Sequence, residues 1–228
     1  MGVKISSISL GFDQCYLVRS GGVILVDAGA PGKGKNLLRV MEKAGISAQE
    51  LRLVIITHGH WDHIGSAGQI KDLTGAAIAM HEREVHWLEN SLTPLSPGVT
   101  AWGRAFGSVL KLFMPFVKIE AAVVDIRFDD EDFPLSPYGI PGKVIHTPGH
   151  SSGSVSVLLD SGEVFVGDLA MNRFPLRLTP GLPIFAQSEE AVRKSWRRLL
   201  DEGARTIYPA HGKPFSADVI RRILGEEL

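Results

Sequence analysis

The chain has 228 residues, 44% of them hydrophobic and 21% charged, which is enough to bury a substantial core in one large domain or two small ones. Its 24 Lys+Arg against 25 Asp+Glu leave a formal charge of −1, so no basic excess points to nucleic acid as a partner. The one cysteine, Cys15, excludes an internal disulfide and a thiolate-only metal site.

Short strands are predicted first, over Val3–Leu10, Cys15–Arg19 and Val23–Val26, with Ser20-Gly21-Gly22 suited to a hairpin turn between the last two. Residues 33–44 carry Leu37, Leu38 and Met41 at the spacing of an amphipathic helix. Residues 53–56 form a fully apolar run, the mark of a strand buried on both faces. That run leads directly into Thr57-His58-Gly59-His60-Trp61-Asp62-His63, and a helix is expected over 64–73.

Residues 85–140 fit this rhythm least. Val99, Trp102, Phe106, Val109, Leu110 and Phe113 fall at helical spacing, which predicts a core-packed helix; the functional alternative is a lid or acyl-contact surface over a site. Arg104, Lys111 and Pro115 interrupt the stretch and exclude a membrane span, so no membrane partner is expected. The first ten residues lack the apolar core of a secretory signal, which suits a cytoplasmic protein.

Strands resume at 143–146, 155–159 and 163–166, with Asp160-Ser161-Gly162 as the turn between the last two. Ser188 is placed to cap a helix whose apolar face is Val192, Trp196, Leu199 and Leu200. A short strand at 206–208 and a final helix over 216–224 complete a layered α/β pattern, read as a single domain over 1–228.

The chemistry concentrates in His58-x-His60-x-Asp62-His63. Four metal-binding side chains within six residues, on a loop leaving a buried strand, are hard to explain as packing. His58 and His60 lie two residues apart and project to the same side of extended backbone, whereas Asp62 and His63 turn toward a second point. Imidazole and carboxylate without thiolate suit Zn²⁺, with Fe or Mn as alternatives. His150, Asp168 and His211 each stand at the end of a predicted strand, where a rigid scaffold offers ligands to a metal. His81, His86 and His146 read as surface or core histidines, with His146 a candidate support for the His150 loop. Gly149-His150-Ser151-Ser152-Gly153 matches the G-x-S-x-G nucleophile elbow, but the apolar alternation after it predicts a strand where the elbow requires a helix.

In order, Thr-His-Gly-His-Trp-Asp-His, Thr-Pro-Gly-His-Ser, Val-Gly-Asp and Pro-Ala-His-Gly, with Asp27 in an early Asp-x-Gly turn, resemble the metallo-β-lactamase superfamily. The resemblance covers roughly residues 5–215 and implies a four-layer αβ/βα sandwich with a dinuclear site at one edge. It implies that His58, His60 and His150 hold one Zn²⁺, that Asp62, His63 and His211 hold the other, and that Asp168 bridges them. It further implies a hydroxide between the two ions as nucleophile, oriented by Asp62 as the catalytic residue.

Within the superfamily, His60 stands where flavodiiron members carry Glu, and all seven ligand positions are filled where persulfide dioxygenases use three around one iron. Asp168 replaces the Cys of the first class of true β-lactamases. The glutathione-site tyrosine of glyoxalase II-like thioesterases is absent, and Met171 stands where acyl-homoserine lactonases usually place Tyr. The resulting expectation is a hydrolase of small ester, thioester or lactone substrates from the glyoxalase II or lactonase-like branch, with an acyl or aromatic group on the substrate and room for a homodimer. The competing readings are an iron-dependent redox member similar to persulfide dioxygenases, and a metal-bearing binding protein without turnover.

Overall fold

A computed structural model describes residues 2–226. Strands β1 (Lys4–Ser9), β2 (Gln14–Arg19), β3 (Val23–Val26), β4 (Leu51–Ile55), β5 (Ala77–His81) and β6 (Ile126–Phe128) pair in that order into one sheet, antiparallel through β3 and parallel beyond it. The second sheet holds β7 (Phe133–Pro134), β8 (Gly142–His146), β9 (Val155–Leu159), β10 (Glu163–Met171), β11 (Thr206–His211) and β12 (Phe215–Ser216), again neighbour to neighbour. Only β10 and β11 run parallel there.

Side-chain alternation sorts the layers. Val23 and Leu25 of β3 join the outer cluster, with Leu37 and Met41 of α1 (Gly34–Lys43), Ile64 of α2 (Trp61–Ile64) and Ile70 of α3 (Ala67–Thr74). Val85 and Leu88 of α4 (Val85–Glu89) extend that layer. Ile24 and Val26 point the other way, into a core shared with Val144, Val157 and Phe165 of the second sheet. Val164 and Val166, flanking Phe165, face Val192, Trp196 and Leu199 of α6 (Glu189–Asp201) and Ile220 of α7 (Asp218–Leu224). Helix, sheet, sheet, helix is the four-layer αβ/βα sandwich that the sequence predicted.

Three local expectations are corrected. The helix expected over 64–73 is broken into α2 and α3, because Ser66 leaves the helical path to donate to the Ala30 carbonyl (2.6 Å) and accept from Lys33 N (2.7 Å). Residues 126–134 return to the two sheets as β6 and β7, so the segment outside the sandwich is narrower than 85–140. The apolar stripe of α5 (Ala101–Phe113) is not core-packed: Gly103 is its sole buried residue, while Trp102, Val109, Leu112 and Phe113 are exposed. Helical spacing of apolar residues shows that a face exists, and here no layer stands opposite it. What holds α5 is its N-terminal end, where Val99 N donates to the Ile184 carbonyl (2.9 Å), Ala186 N to the Pro97 carbonyl (3.0 Å) and Trp102 Nε1 to the Pro175 carbonyl (2.9 Å).

Candidate metal centre

The seven sequence-predicted ligands converge at one edge of the sandwich. His58 and His60 leave β4, Asp62 and His63 lie in α2, His150 follows β8, Asp168 lies within β10, and His211 ends β11. His58 Nε2 stands 3.0 Å from His60 Nδ1, and His150 Nε2 lies 3.1 Å and 2.9 Å from those two atoms. These spacings are within a few tenths of an ångström of the ~3.3 Å edge of a tetrahedron with Zn–N bonds of ~2.0–2.1 Å. A second group forms beside them, with His211 Nε2 at 3.3 Å from both Asp62 Oδ2 and Asp168 Oδ1, and His63 Nε2 at 3.4 Å from Asp168 Oδ1. The other Asp168 oxygen, Oδ2, is 3.7 Å from His150 Nε2, so this carboxylate spans both groups.

Each imidazole is oriented from behind. His63 Nδ1 meets Asp27 Oδ2 at 2.9 Å, His150 Nδ1 donates to the Phe185 carbonyl at 2.8 Å, and His211 Nδ1 donates to the Phe12 carbonyl at 3.1 Å. The Thr57 hydroxyl is donated to Asp27 (2.9 Å), so at 3.2 Å its oxygen accepts from His58 Nδ1. Ser96 Oγ donates to the His150 carbonyl (2.8 Å) and is therefore the acceptor for His60 Nε2 at 3.4 Å. With every outward nitrogen engaged as a donor, the five inner nitrogens are the ones left to face a metal ion, as metal-ligating histidines require.

Electrostatics agree. Burial holds His58, His60 and His150 below the ordinary imidazole range, His60 at about 3, so all three are neutral donors. In the second group burial also opposes a proton on His63 and His211, but the surrounding carboxylates outweigh it and raise both, His211 to about 10 through Asp168 and Asp62. A site that draws protons onto buried imidazoles is one whose field favours a cation. His63 Nε2 and Asp168 Oδ1 are buried with no hydrogen-bond partner, and coordination to a metal ion would satisfy both.

His81 and His146, both buried, share Asp130 Oδ1 at 3.2 Å and 3.0 Å, and His86 is exposed. This third group is a brace. Its two rings stack with planes 29° apart, one nitrogen of each converges on the same Asp130 oxygen, and the Arg83 guanidinium already neutralises Asp130 at 2.7 Å. His146 Nε2 reaches the Ser152 carbonyl at 2.9 Å, which supports the His150 loop as the sequence suggested. The nucleophile elbow fails on context: strand β9, not a helix, follows Gly153. Cys15 is buried, and its thiol donates to Asp13 Oδ2.

Sequence reasoning missed two groups that the structure brings to the site, Ser96 and Glu84. Ser96 lies in the 91–100 segment, and nothing in the motif spacing links it to His60. Glu84 sits in a charged run, His81-Glu82-Arg83-Glu84, that reads as solvated surface; it is fully buried.

The model of the metallo-β-lactamase superfamily matches residues 9–211. The chain is 24% identical over 221 residues to a probable metallo-hydrolase of Bacillus subtilis, YflN, covering 89% of this chain and 80% of that protein. Among solved structures it is similar to the BLEG-1 B3 metallo-β-lactamase, with a TM-score of 0.69, 21% identity, and coverage of 97% of this chain and 99% of that one. It is also similar to TTHA1623 in a di-iron-bound form, with a TM-score of 0.67, 24% identity, and coverage of 95% and 97%. These matches span both sheets and every ligand loop, and the chain belongs to the metallo-β-lactamase superfamily.

Proposed function

We propose that this chain is a dinuclear metal-dependent hydrolase of small ester, thioester or lactone substrates. One observation carries the reading: five imidazoles, each with its outer N–H donated away, turn their inner nitrogens onto two adjoining points that Asp168 spans. His58, His60 and His150 would hold one ion, Asp62, His63 and His211 the second, with Asp168 between them. The donor set of imidazole and carboxylate favours Zn²⁺, then Fe or Mn. Bound there, the ions supply Lewis acidity and a source of hydroxide at neutral pH.

The residues of the chain supply orientation and proton handling. Asp62 is the catalytic residue in this reading. Burial opposes its ionisation, but His63 and His211 lower its pKa, so its carboxylate stays ionised and can accept a hydrogen bond that orients the attacking water. Ser96 joins the 91–100 segment to His60 and His150, and the Phe185 carbonyl joins the segment after β10 to His150, so two loops outside the sandwich wall the centre. Exposed Phe12, Trp102 and Phe174 give this side an apolar surface suited to an acyl or aromatic group, with α5 as lid. Among the described residues no helix is long and apolar enough to cross a membrane. A cytoplasmic enzyme of small molecules, alone or as a homodimer, fits the near-neutral charge.

The test is elemental analysis of the purified protein, followed by p-nitrophenyl esters, acyl lactones and thioesters with and without chelator. About two zinc per chain with chelator-sensitive hydrolysis supports the reading. One iron per chain and no hydrolysis moves the protein to the redox branch, and full metal with no turnover leaves a binding protein.

A further inference from the structure

We propose that Glu84 is a positioning residue for the first metal subsite, a buried carboxylate that clamps the His58–His60 loop to the His150 loop. The inference rests on the metal-centre reading above and on no particular substrate. Glu84 lies between β5 and α4 and is fully buried. Its Oε2 accepts from Gly59 N at 2.7 Å and its Oε1 from Gly153 N at 2.8 Å. Gly59 separates His58 from His60, and Gly153 lies in the same loop as His150. One side chain therefore ties together the two loops whose ring nitrogens stand 2.9–3.1 Å apart.

The chemistry of the residue fits this task and little else. A buried carboxylate with no Lys or Arg partner among the described ion pairs is unfavourable unless its oxygens are saturated by donors. Here the donors come from the ligand loops themselves. A glutamine offers one acceptor and one donor, so it would set an N–H against the amide of one loop. Both amides reach the carboxylate because they belong to glycines packed against this turn. A Cβ on Gly153 would fall 2.8 Å from Glu84 Cγ, and one on Gly59 would enter the Trp87 ring. Next to it, Arg83 Nη1 donates to the Ser152 carbonyl at 3.2 Å, so the same turn grips the His150 loop at two places. Neither Glu84 nor the two amides it accepts from are hydrogen-bonded to His63 or His211, so its effect is largest at the first subsite.

The experiment titrates metal-free protein with cobalt(II) and zinc against a competing chelator, reading the cobalt visible bands, for wild type, Glu84→Gln and Gly153→Ala. His150→Ala and His211→Ala assign the two binding steps, and Met41→Ala, a substitution in the far core, reports general destabilisation. Glu84→Gln is expected to weaken the His58–His60–His150 step ~10–100-fold, to alter its cobalt bands, and to leave the His63–His211 step within about twofold. Gly153→Ala is expected to move the same step in the same direction. Unchanged affinities in Glu84→Gln, or equal losses at both steps like those of Met41→Ala, overturn the proposal; if Glu84→Gln does not fold, Gly153→Ala decides by the same outcomes. Absence of hydrolysis across every substrate would remove the proposed activity and leave this titration standing.

Discussion

Asp27 and His63 meet at 2.9 Å, carboxylate oxygen to Nδ1, in the buried floor of the centre. Asp27 holds a positive φ of 62°, a conformation that non-glycine residues adopt under constraint. The constraint is visible. Its oxygens also accept from Thr57 N at 2.8 Å and from the Thr57 hydroxyl at 2.9 Å, and that hydroxyl in turn orients His58. One carboxylate thus aims a ligand of each subsite, which explains why a residue that would hold no metal stands at a strained position beside it.

Asp27→Asn is expected to weaken metal binding ~10–100-fold, most at the His63 subsite, because an amide restores the size of the group but not the charge behind the imidazole. Asp27→Ala should do this and also lower stability by about 1–3 kcal/mol, since the buried Thr57 donors lose their acceptor. Chelator competition and urea unfolding of the metal-free protein separate the two effects.

Asp168 is the one ligand that spans both groups, so Asp168→Ala is expected to lose metal at both subsites and to reduce hydrolysis to background. His60→Ala, which removes one donor from a single subsite, should lose its ion there first. Either protein retaining full metal content and full activity would sink the dinuclear reading.

The two subsites differ in proton balance. His58, His60 and His150 are neutral before metal arrives, whereas His63 and His211 carry protons in the metal-free protein, His211 up to a pH of about 10. At pH ~8, above the ~6.5 of an unperturbed histidine, filling the second subsite should therefore release imidazole protons that filling the first does not. Calorimetric titration in buffers of different ionisation enthalpy counts them. The sign for stability follows from the raised His211 value. Its contribution to the metal-free fold is complete below ~6.5 and is lost as pH rises through about 10. Metal-free protein should lose thermal stability across that window, and metal-loaded protein, whose imidazoles are already neutral, should not.

The candidate cluster was legible because metal-binding chemistry asks for particular residue types at short spacing: His58, His60, Asp62 and His63 leave one strand together. Strand β4 was legible because Leu53 to Ile56 are apolar on both faces, which a strand between two packed layers requires. Strand β5 was not, since Ala77-Ile78-Ala79-Met80-His81 has Ile78 as its single β-branched residue and two alanines that mark no strand, and the parallel neighbours β4 and β6 hold it. Glu84 and Ser96 were illegible for a different reason. Their roles depend on which backbone amides and imidazoles the fold brings to them from distant positions in the chain, and no local pattern encodes that. Helix α5 misled because its apolar spacing was real while its partner layer was absent.

That absence has a measurable consequence. Leu112 is 71% exposed and Leu37 is fully buried, although both are apolar residues on helices that carry an apolar stripe. Leu112→Ser should change unfolding free energy by less than about 0.5 kcal/mol, and Leu37→Ala should lower it by about 2–5 kcal/mol. If α5 instead packs as core in solution, the two losses converge. The proposed role of α5 as a wall of the site is tested separately through Trp102, whose indole N–H ties α5 to the Pro175 carbonyl. Trp102→Ala should raise KM for long acyl esters ~10-fold and leave p-nitrophenyl acetate nearly unchanged, because only the longer substrate extends from the metals to the helix. Equal changes for both esters would mean that α5 supports the fold of the neighbouring loop and does not contact substrate.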